Sequence, residues 1–204
     1  MSLPAPQPPV PANFILEPDI MARLDFTALF GNSTPVELEL GAGDGSFLAQ
    51  YAALQPGRNF VGVERLLGRL RKLDRKTRRT GLTNLRCLRL EATYVLEWMI
   101  PAGSLAALHV YFPDPWPKRR HWKRRLVNAD FVRLAHTALR PGGVAFLRTD
   151  HESYFEQMNE VFRAHPGFAA TAEPGDLLAV KTDFERGFNA QGTATRHVAF
   201  QRLA

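Results

Sequence analysis

The sequence offers little that would hold it together by covalent or metal staples. Its 204 residues include a single cysteine, Cys87, which excludes a disulfide framework and a cysteine-rich zinc site. No histidine or acid stands at ligand spacing from another in a way that calls for a metal, and none is expected. Long hydrophobic runs are missing too: none approaches the ~20 residues that span a bilayer. The opening MSLPAPQPPVPANF lacks a basic stretch followed by an apolar one, so it does not read as a secretory signal. A cytoplasmic chain with no membrane association is the expectation. Negative charge is in deficit, with 26 Lys and Arg against 20 Asp and Glu and a formal charge of +6. That balance favours an anionic partner, nucleic acid first.

The rest of the composition fits a folded domain, 45% apolar and 23% charged. Residues 1–14 are proline-rich and read as an extended or disordered tail, leaving 15–204 as one domain. The basic residues cluster. Arg65, Arg69, Arg71, Lys72, Arg75, Lys76, Arg78 and Arg79 fall in one stretch, and Lys118, Arg119, Arg120, Lys123, Arg124 and Arg125 in another. A phosphate backbone is held by such local fields. In the first stretch Leu66, Leu70 and Leu73 recur at helical spacing and are expected to pack inward.

From residue 36 short apolar runs alternate with helical patterns. VELEL (36–40) reads as a strand, GAGDG as a turn and SFLAQYAAL (46–54) as a helix; NFVGVE, LRCLRL, SLAALHVYF and VAFLRTD read as further strands. Asn128 is placed to cap a helix through Leu139, residues 140–143 to form a turn, and FAAT (168–171) and 193–203 to add late strands at an antiparallel edge. Repeated βα units predict a mostly parallel α/β sheet with its site at the carboxyl ends of the strands. Cys87 falls inside a strand pattern and reads as a small core hydrophobe.

Gly41, Gly43 and Gly45 make a G-x-G-x-G turn between strand and helix, where the backbone can approach a ligand closely. Acids follow the strands. Glu39 lies within the first, Glu64 ends the second where a carboxylate can accept both ribose hydroxyls, and Glu91 ends the third near the place of an adenine edge. Asp114 and Asp150 follow the fourth and fifth. With Asp44 in the turn, a pyrophosphate fits poorly and a cationic nucleoside fits better, which points to S-adenosylmethionine. In the loop after the fourth strand, Pro115 and Pro117 fix φ. Lys118, Arg124 and Arg125 are expected to meet phosphates, Trp116 and Trp122 to stack on a base or pack the loop, and His121 to face RNA or pack.

The run YFPDPWPKRRHWKRRL (111–126) resembles the signature of the bacterial tRNA (guanine-N7)-methyltransferases. The resemblance extends through LELGAGDGSFL, NFVGVE, LRTD and the late TDFERG, over roughly residues 36–187. It implies a Rossmann-like class I methyltransferase fold, α/β with a seven-stranded sheet and helices on both faces. It also implies S-adenosylmethionine as methyl donor and, as acceptor, N7 of a guanine at position 46 of the tRNA variable loop. On this resemblance Glu39, Gly41, Gly43, Glu64, Glu91 and Asp114 hold the donor, and Asp114 is catalytic. Lys118, Asp150, Thr182, Asp183, Phe184 and Glu185 contact the substrate, and Arg120, His121, Trp122, Lys123, Arg124 and Arg125 form the RNA-binding stretch. Glu91 stands where the family usually has aspartate, and the proline-rich start replaces a basic N-terminal arm. Beside tRNA no obligate protein partner is expected, and the chain is read as a monomer or homodimer. Two other readings are an adenine-amine methyltransferase, whose D/N-P-P-Y/W loop DPW partly matches, and a non-enzymatic RNA-binding module on the same fold.

Overall fold

In the computed structural model, which describes residues 15–204, strands and helices alternate as the patterning predicts. The order is β1 (Ile15–Leu16), α1 (Phe26–Phe30), β2 (Val36–Leu40), α2 (Leu48–Leu54), β3 (Asn59–Val63), α3 (Leu67–Thr80) and β4 (Leu85–Leu88). Then come α4 (Ala92–Tyr94), continued by a π-helical turn Val95–Met99, β5 (Leu105–Tyr111) and a 3-10 helix Arg119–Arg124. The chain ends with α5 (Ala129–Ala138), β6 (Leu139–Thr149), α6 (Glu152–Arg163), β7 (Phe168–Thr171), α7 (Gly175–Ala179), α8 (Asp183–Ala190) and β8 (Arg196–Arg202). The tail assigned to residues 1–14 lies outside the described residues.

One sheet runs β1-β4-β3-β2-β5-β6-β8-β7. Its pairings are parallel except those of β8, which is antiparallel to β6 and β7. The seven expected strands are β2 to β8. The eighth, β1, is two residues long and sets Ile15 and Leu16 opposite Cys87 and Leu88, too short to leave a periodic signal. After β4 the chain crosses from one side of β2 to the other. Open α/β sheets bind ligands outside the strand ends at such a reversal.

The alternation in VELEL means something other than a wet face. Val36, Leu38 and Leu40 join a core with Phe131, Val132 and Ala135 of α5 and Tyr154, Met158 and Phe162 of α6. Glu37 and Glu39 point to the opposite face, which α2 and α3 cover through Leu48, Tyr51, Leu70 and Leu73, so all five residues are buried. Glu37 is compensated: Oε2 lies 2.8 Å from His109 Nε2, and Oε1 accepts from Arg58. Burial pushes its carboxyl upward, but His109 and Arg58 outweigh that and hold it below the ordinary carboxylate range.

Leu66 departs from the expected inward stripe. It precedes the first turn of α3 and is 48% exposed, leaving Leu70, Leu73 and Thr77 as the buried side. Cys87 is fully buried in the second core as expected. Asn128 caps α5, its Oδ1 accepting from Phe131 N at 3.0 Å. Residues 140–143, read as a turn, instead lie within the long β6, 140–142 exposed and Gly143 buried. Helices α1 and α7, at five residues each, are too short to show a period. The TDFERG motif opens α8, with Thr182 as its cap.

Gly45 ties the glycine turn to α3. A Cβ there would lie 2.0 Å from Leu73 Cδ1 and 2.7 Å from Cγ, at a φ of +71°. Both overpacking and the left-handed backbone oppose a side chain. Gly45→Ala is expected to lower stability by about 1–3 kcal/mol, read as a lower urea midpoint with unchanged slope.

Candidate active site

Leu40 ends β2 at a turn held by its neighbour strand: Gly41 N and Ala42 N both donate to Val63 O, at 2.8 and 2.9 Å. The next residues meet Glu64. Gly43 N donates to Glu64 Oε2 at 3.1 Å, and Leu66 N donates to Oε1 at 2.7 Å. The carboxylate is thereby oriented between the glycine turn and the start of α3. Asp44 accepts from Ser46 N at 3.2 Å and pairs with Lys76 at 3.0 Å.

Glu39 lies at the floor. It is 3% exposed, and its Oε2 is buried with no hydrogen-bond partner. Burial pushes its carboxyl up to about 8; Arg148 opposes this, and the charges of Glu64 and Asp44 add to it. Above the floor opens a cavity of about 1050 Å³ along the carboxyl ends of the strands. Its lining joins Glu39, Gly41, Gly43, Glu64, Glu91, Asp114 and Asp150 with Lys123, Arg124, Thr182, Asp183 and Phe184. Residues from seven separate segments thus meet in one hollow. Glu91 is already engaged as the cap of α4, where it accepts from Tyr94 N at 2.8 Å.

Asp114 is exposed on the loop between β5 and the 3-10 helix. That loop is strained on both sides of it, with Phe112 at φ 50° and Trp116 at φ 42°. Such conformations in non-glycine residues cost about 1–3 kcal/mol each and persist only where the surroundings hold them. Phe112 N donates to Arg148 O at 2.8 Å, and Arg124 lies 5.0 Å over the Trp116 ring. Lys118 and Arg120 are exposed beside the cavity without lining it. His121 meets Trp116 edge-on at 5.9 Å. Trp122 packs against Arg119 and Arg125, its Nε1 buried without a partner.

A family model described as "Putative methyltransferase" (Methyltransf_4) matches residues 33–197. Two curated relatives are named tRNA (guanine-N(7)-)-methyltransferase: one from Aliivibrio fischeri, 38% identical over 89% of this chain and 78% of its own, and one from Aeromonas hydrophila, 42% identical over 88% and 78%. The chain belongs to the tRNA (guanine-N7)-methyltransferase family. A third member, from Streptomyces avermitilis, is 43% identical over 86% of this chain; the chain spans only 61% of that relative's length, and 65% of its Streptomyces coelicolor counterpart. Among solved structures, the 16S rRNA methyltransferase KamB superposes with a TM-score of 0.66 at 18% identity, covering 88% of this chain and 93% of KamB. TrmN from Thermus thermophilus gives 0.59 at 19% identity, over 87% of this chain and 47% of TrmN. At such identity these likenesses establish the fold, a Rossmann-like class I methyltransferase fold.

In this family member two residues expected at the substrate stand elsewhere. Arg125 is 1% exposed and bonded within the protein, so it has no free face for a phosphate. Glu185 is 2% exposed, on the buried side of α8. Its Oε2 accepts from Arg148 Nη1 at 3.1 Å, and Oε1 lies 3.2 Å from His197 Nε2. Thr182 caps the same helix, its hydroxyl accepting from Glu185 N at 2.9 Å, and Asp183 N donates to Ser46 Oγ at 3.0 Å, tying α8 to the glycine turn. The sequence reading did not single out Arg148. Fully buried, it donates to Val180 O and Leu177 O at 2.9 Å each and to Glu173 Oε2 at 3.2 Å. Its signal was there, a charge inside the apolar strand run VAFLRTD.

His197 completes this cluster. Its bonds to Glu173 and Glu185 push its pKa up to about 9, against burial and Arg148. A folded-state pKa above the ordinary 6.5 stabilises fully below about pH 6.5 and loses that effect as pH rises through about 9. The stability advantage of wild type over His197→Gln is therefore expected to shrink by about 1–3 kcal/mol between pH 6 and pH 9.5, measured by urea unfolding at each pH.

Proposed function

We propose that this chain transfers a methyl group from S-adenosylmethionine to N7 of guanine at position 46 of the tRNA variable loop. The observation that carries the reading is the single cavity whose lining joins a buried, unpartnered carboxyl, Glu39, to Asp114 and the cations Lys123 and Arg124, in a chain of this family. The residues fit the donor. Glu39 offers a desolvated oxygen in want of a positively charged or N–H partner, and Glu64 presents a carboxylate that two backbone N–H groups already orient toward a ribose. Bound there, the donor supplies an electrophilic methyl on a sulfonium. Gly41 and Gly43 leave its path clear of side chains.

Asp114 does the acceptor's work. N7 of guanine carries a lone pair and no proton, so no general base is required. A carboxylate on the guanine N1–H and N2–H₂ edge orients the ring and favours the positive charge it gains, which is positioning plus electrostatics. Lys123 and Arg124 at the cavity and Lys118 and Arg120 beside it supply the field for the RNA backbone. A module without catalysis has no physical use for Glu39, since an uncompensated carboxyl in the core only destabilises.

Incubation with labelled donor and unmodified tRNA, followed by nucleoside analysis, is expected to yield 7-methylguanosine; methyladenosine would refute the reading. Asp114→Asn is expected to lower kcat by about 100-fold or more. Donor binding followed by calorimetry in buffers of different ionisation enthalpy adds a test independent of turnover. Because the free Glu39 carboxyl titrates near 8, a cationic donor at pH 7 should expel a proton, and the release should fade above pH 8 and vanish in Glu39→Gln.

A further inference from the structure

Arg125 closes the most basic run of the chain, yet it alone of that run turns inward. Lys118, Arg119, Arg120, Lys123 and Arg124 are exposed, and Arg125 is buried. Its guanidinium bonds in three directions. Nε donates to Pro115 O at 2.8 Å, Nη1 to Gln157 Oε1 at 2.9 Å and Ser153 O at 3.1 Å, and Nη2 to Ser153 Oγ at 2.9 Å. The Trp122 and Tyr154 rings flank it, their centroids 4.3 and 4.8 Å from Cζ. Ser153, Tyr154 and Gln157 all belong to α6, a rigid element packed on the sheet.

The carbonyl it holds belongs to the residue between Asp114 and the left-handed Trp116. Among the described residues the Asp114 carboxylate has no bonding partner, so only its backbone decides where it is presented. That backbone lies between two left-handed non-glycine residues, a state that relaxes unless something outside the loop restrains it. Pro113, Pro115 and Pro117 limit φ but anchor nothing. The fork of Arg125 links this stretch to α6, while at the other end of the stretch the Phe112 ring meets Phe184 and Phe188 of α8. A lysine could keep the charge and reach one acceptor, but it has no planar set of donors to span Pro115, Ser153 and Gln157 at once.

We infer that Arg125 is a positioning residue, whose guanidinium clamps the Pro115 carbonyl to α6 and thereby fixes where Asp114 meets the acceptor guanine. The inference rests on the proposed methyl transfer, and it moves Arg125 out of the RNA-contacting set. Arg125→Lys is expected to raise amide exchange at Phe112 and His121, the amides of this stretch that bond to Arg148 O and Lys118 O, and to lower kcat at saturating tRNA by about 10- to 100-fold. Its tRNA affinity and the slope of log K against log salt should stay as in wild type. Arg124→Gln should reduce that slope by roughly 0.7–0.9 for a lost phosphate contact, the change Arg125→Lys should not show. In an Asp114→Asn background the Arg125→Lys effect on kcat should disappear, which a general loss of folding would not produce.

Should Arg125→Lys fail to fold, the pair Ser153→Ala with Gln157→Ala removes two of the three bonds to α6 and keeps only that to Ser153 O, with smaller changes in the same direction expected. Unchanged exchange in the loop, wild-type kcat, or a reduced salt slope in Arg125→Lys would each overturn the inference. Failure of the wild-type chain to methylate tRNA would instead sink the functional reading, and the exchange measurement would still decide the clamp.

Discussion

A carboxyl group buried without a partner at the end of a central strand is a standing cost, and much of this structure is arranged around keeping that cost small until a ligand arrives. Glu39 shares its face of β2 with Glu37, but the two acids are treated differently. Glu37 has His109 and Arg58 and stays ionised. Glu39 has only the distant field of Arg148 against burial and two neighbouring acids, and its carboxyl rises to about 8. Protonation is the cheaper state for a lone carboxyl in a dry place. In the proposed reaction the cationic donor is the partner this carboxyl lacks. Both residues come from the same strand, two positions apart, so register alone separates a structural acid from a receptive one.

The positive charges divide in the same way. Arg148 and Arg125 are fully buried and bonded within the protein, Arg148 to two carbonyls and two carboxylates that hold α7 and α8 to the sheet, Arg125 holding the loop after β5 to α6. A guanidinium suits this task because its charge never leaves it and its donors spread in a plane. Around them the exposed Lys123 and Arg124 remain free to meet an anion. The excess charge of the chain therefore serves two ends. Part braces the walls of the cavity, and part sets the field outside it.

Much of this was legible in the residues. The period-two runs and the strand-turn-helix at GAGDG gave the βα repeat, and acids after successive strands marked one end of the sheet, where the structure gathers them. What escaped has physical reasons. The basic run 118–125 carries no sign of which side chain folds back, because Arg125 differs from Arg124 only in what lies above it in the fold, namely Ser153, Tyr154 and Gln157 some thirty residues on. Glu185 was expected at the substrate because TDFERG shows nothing of its partners, Arg148 and His197, which come from β6 and β8. Leu66 matched the helical stripe, but the chain enters α3 one residue later. β1, α1 and α7 are too short to have a period at all.

The chemistry proposed here needs no proton removed, so its demand falls on placement, and the loop after β5 is built for that demand. Three alternating prolines remove conformational freedom, and two left-handed residues give Asp114 an orientation that a relaxed loop would not adopt. The strain is sustained from outside, by Arg148 O at Phe112 and by the Arg125 fork at Pro115. These holds lead to β6 and α6, so the loop is pinned to both layers of the fold. A carboxylate that acts by position alone is only as effective as the stiffness of its support. That explains why the chain buries two arginines behind an aspartate it leaves exposed.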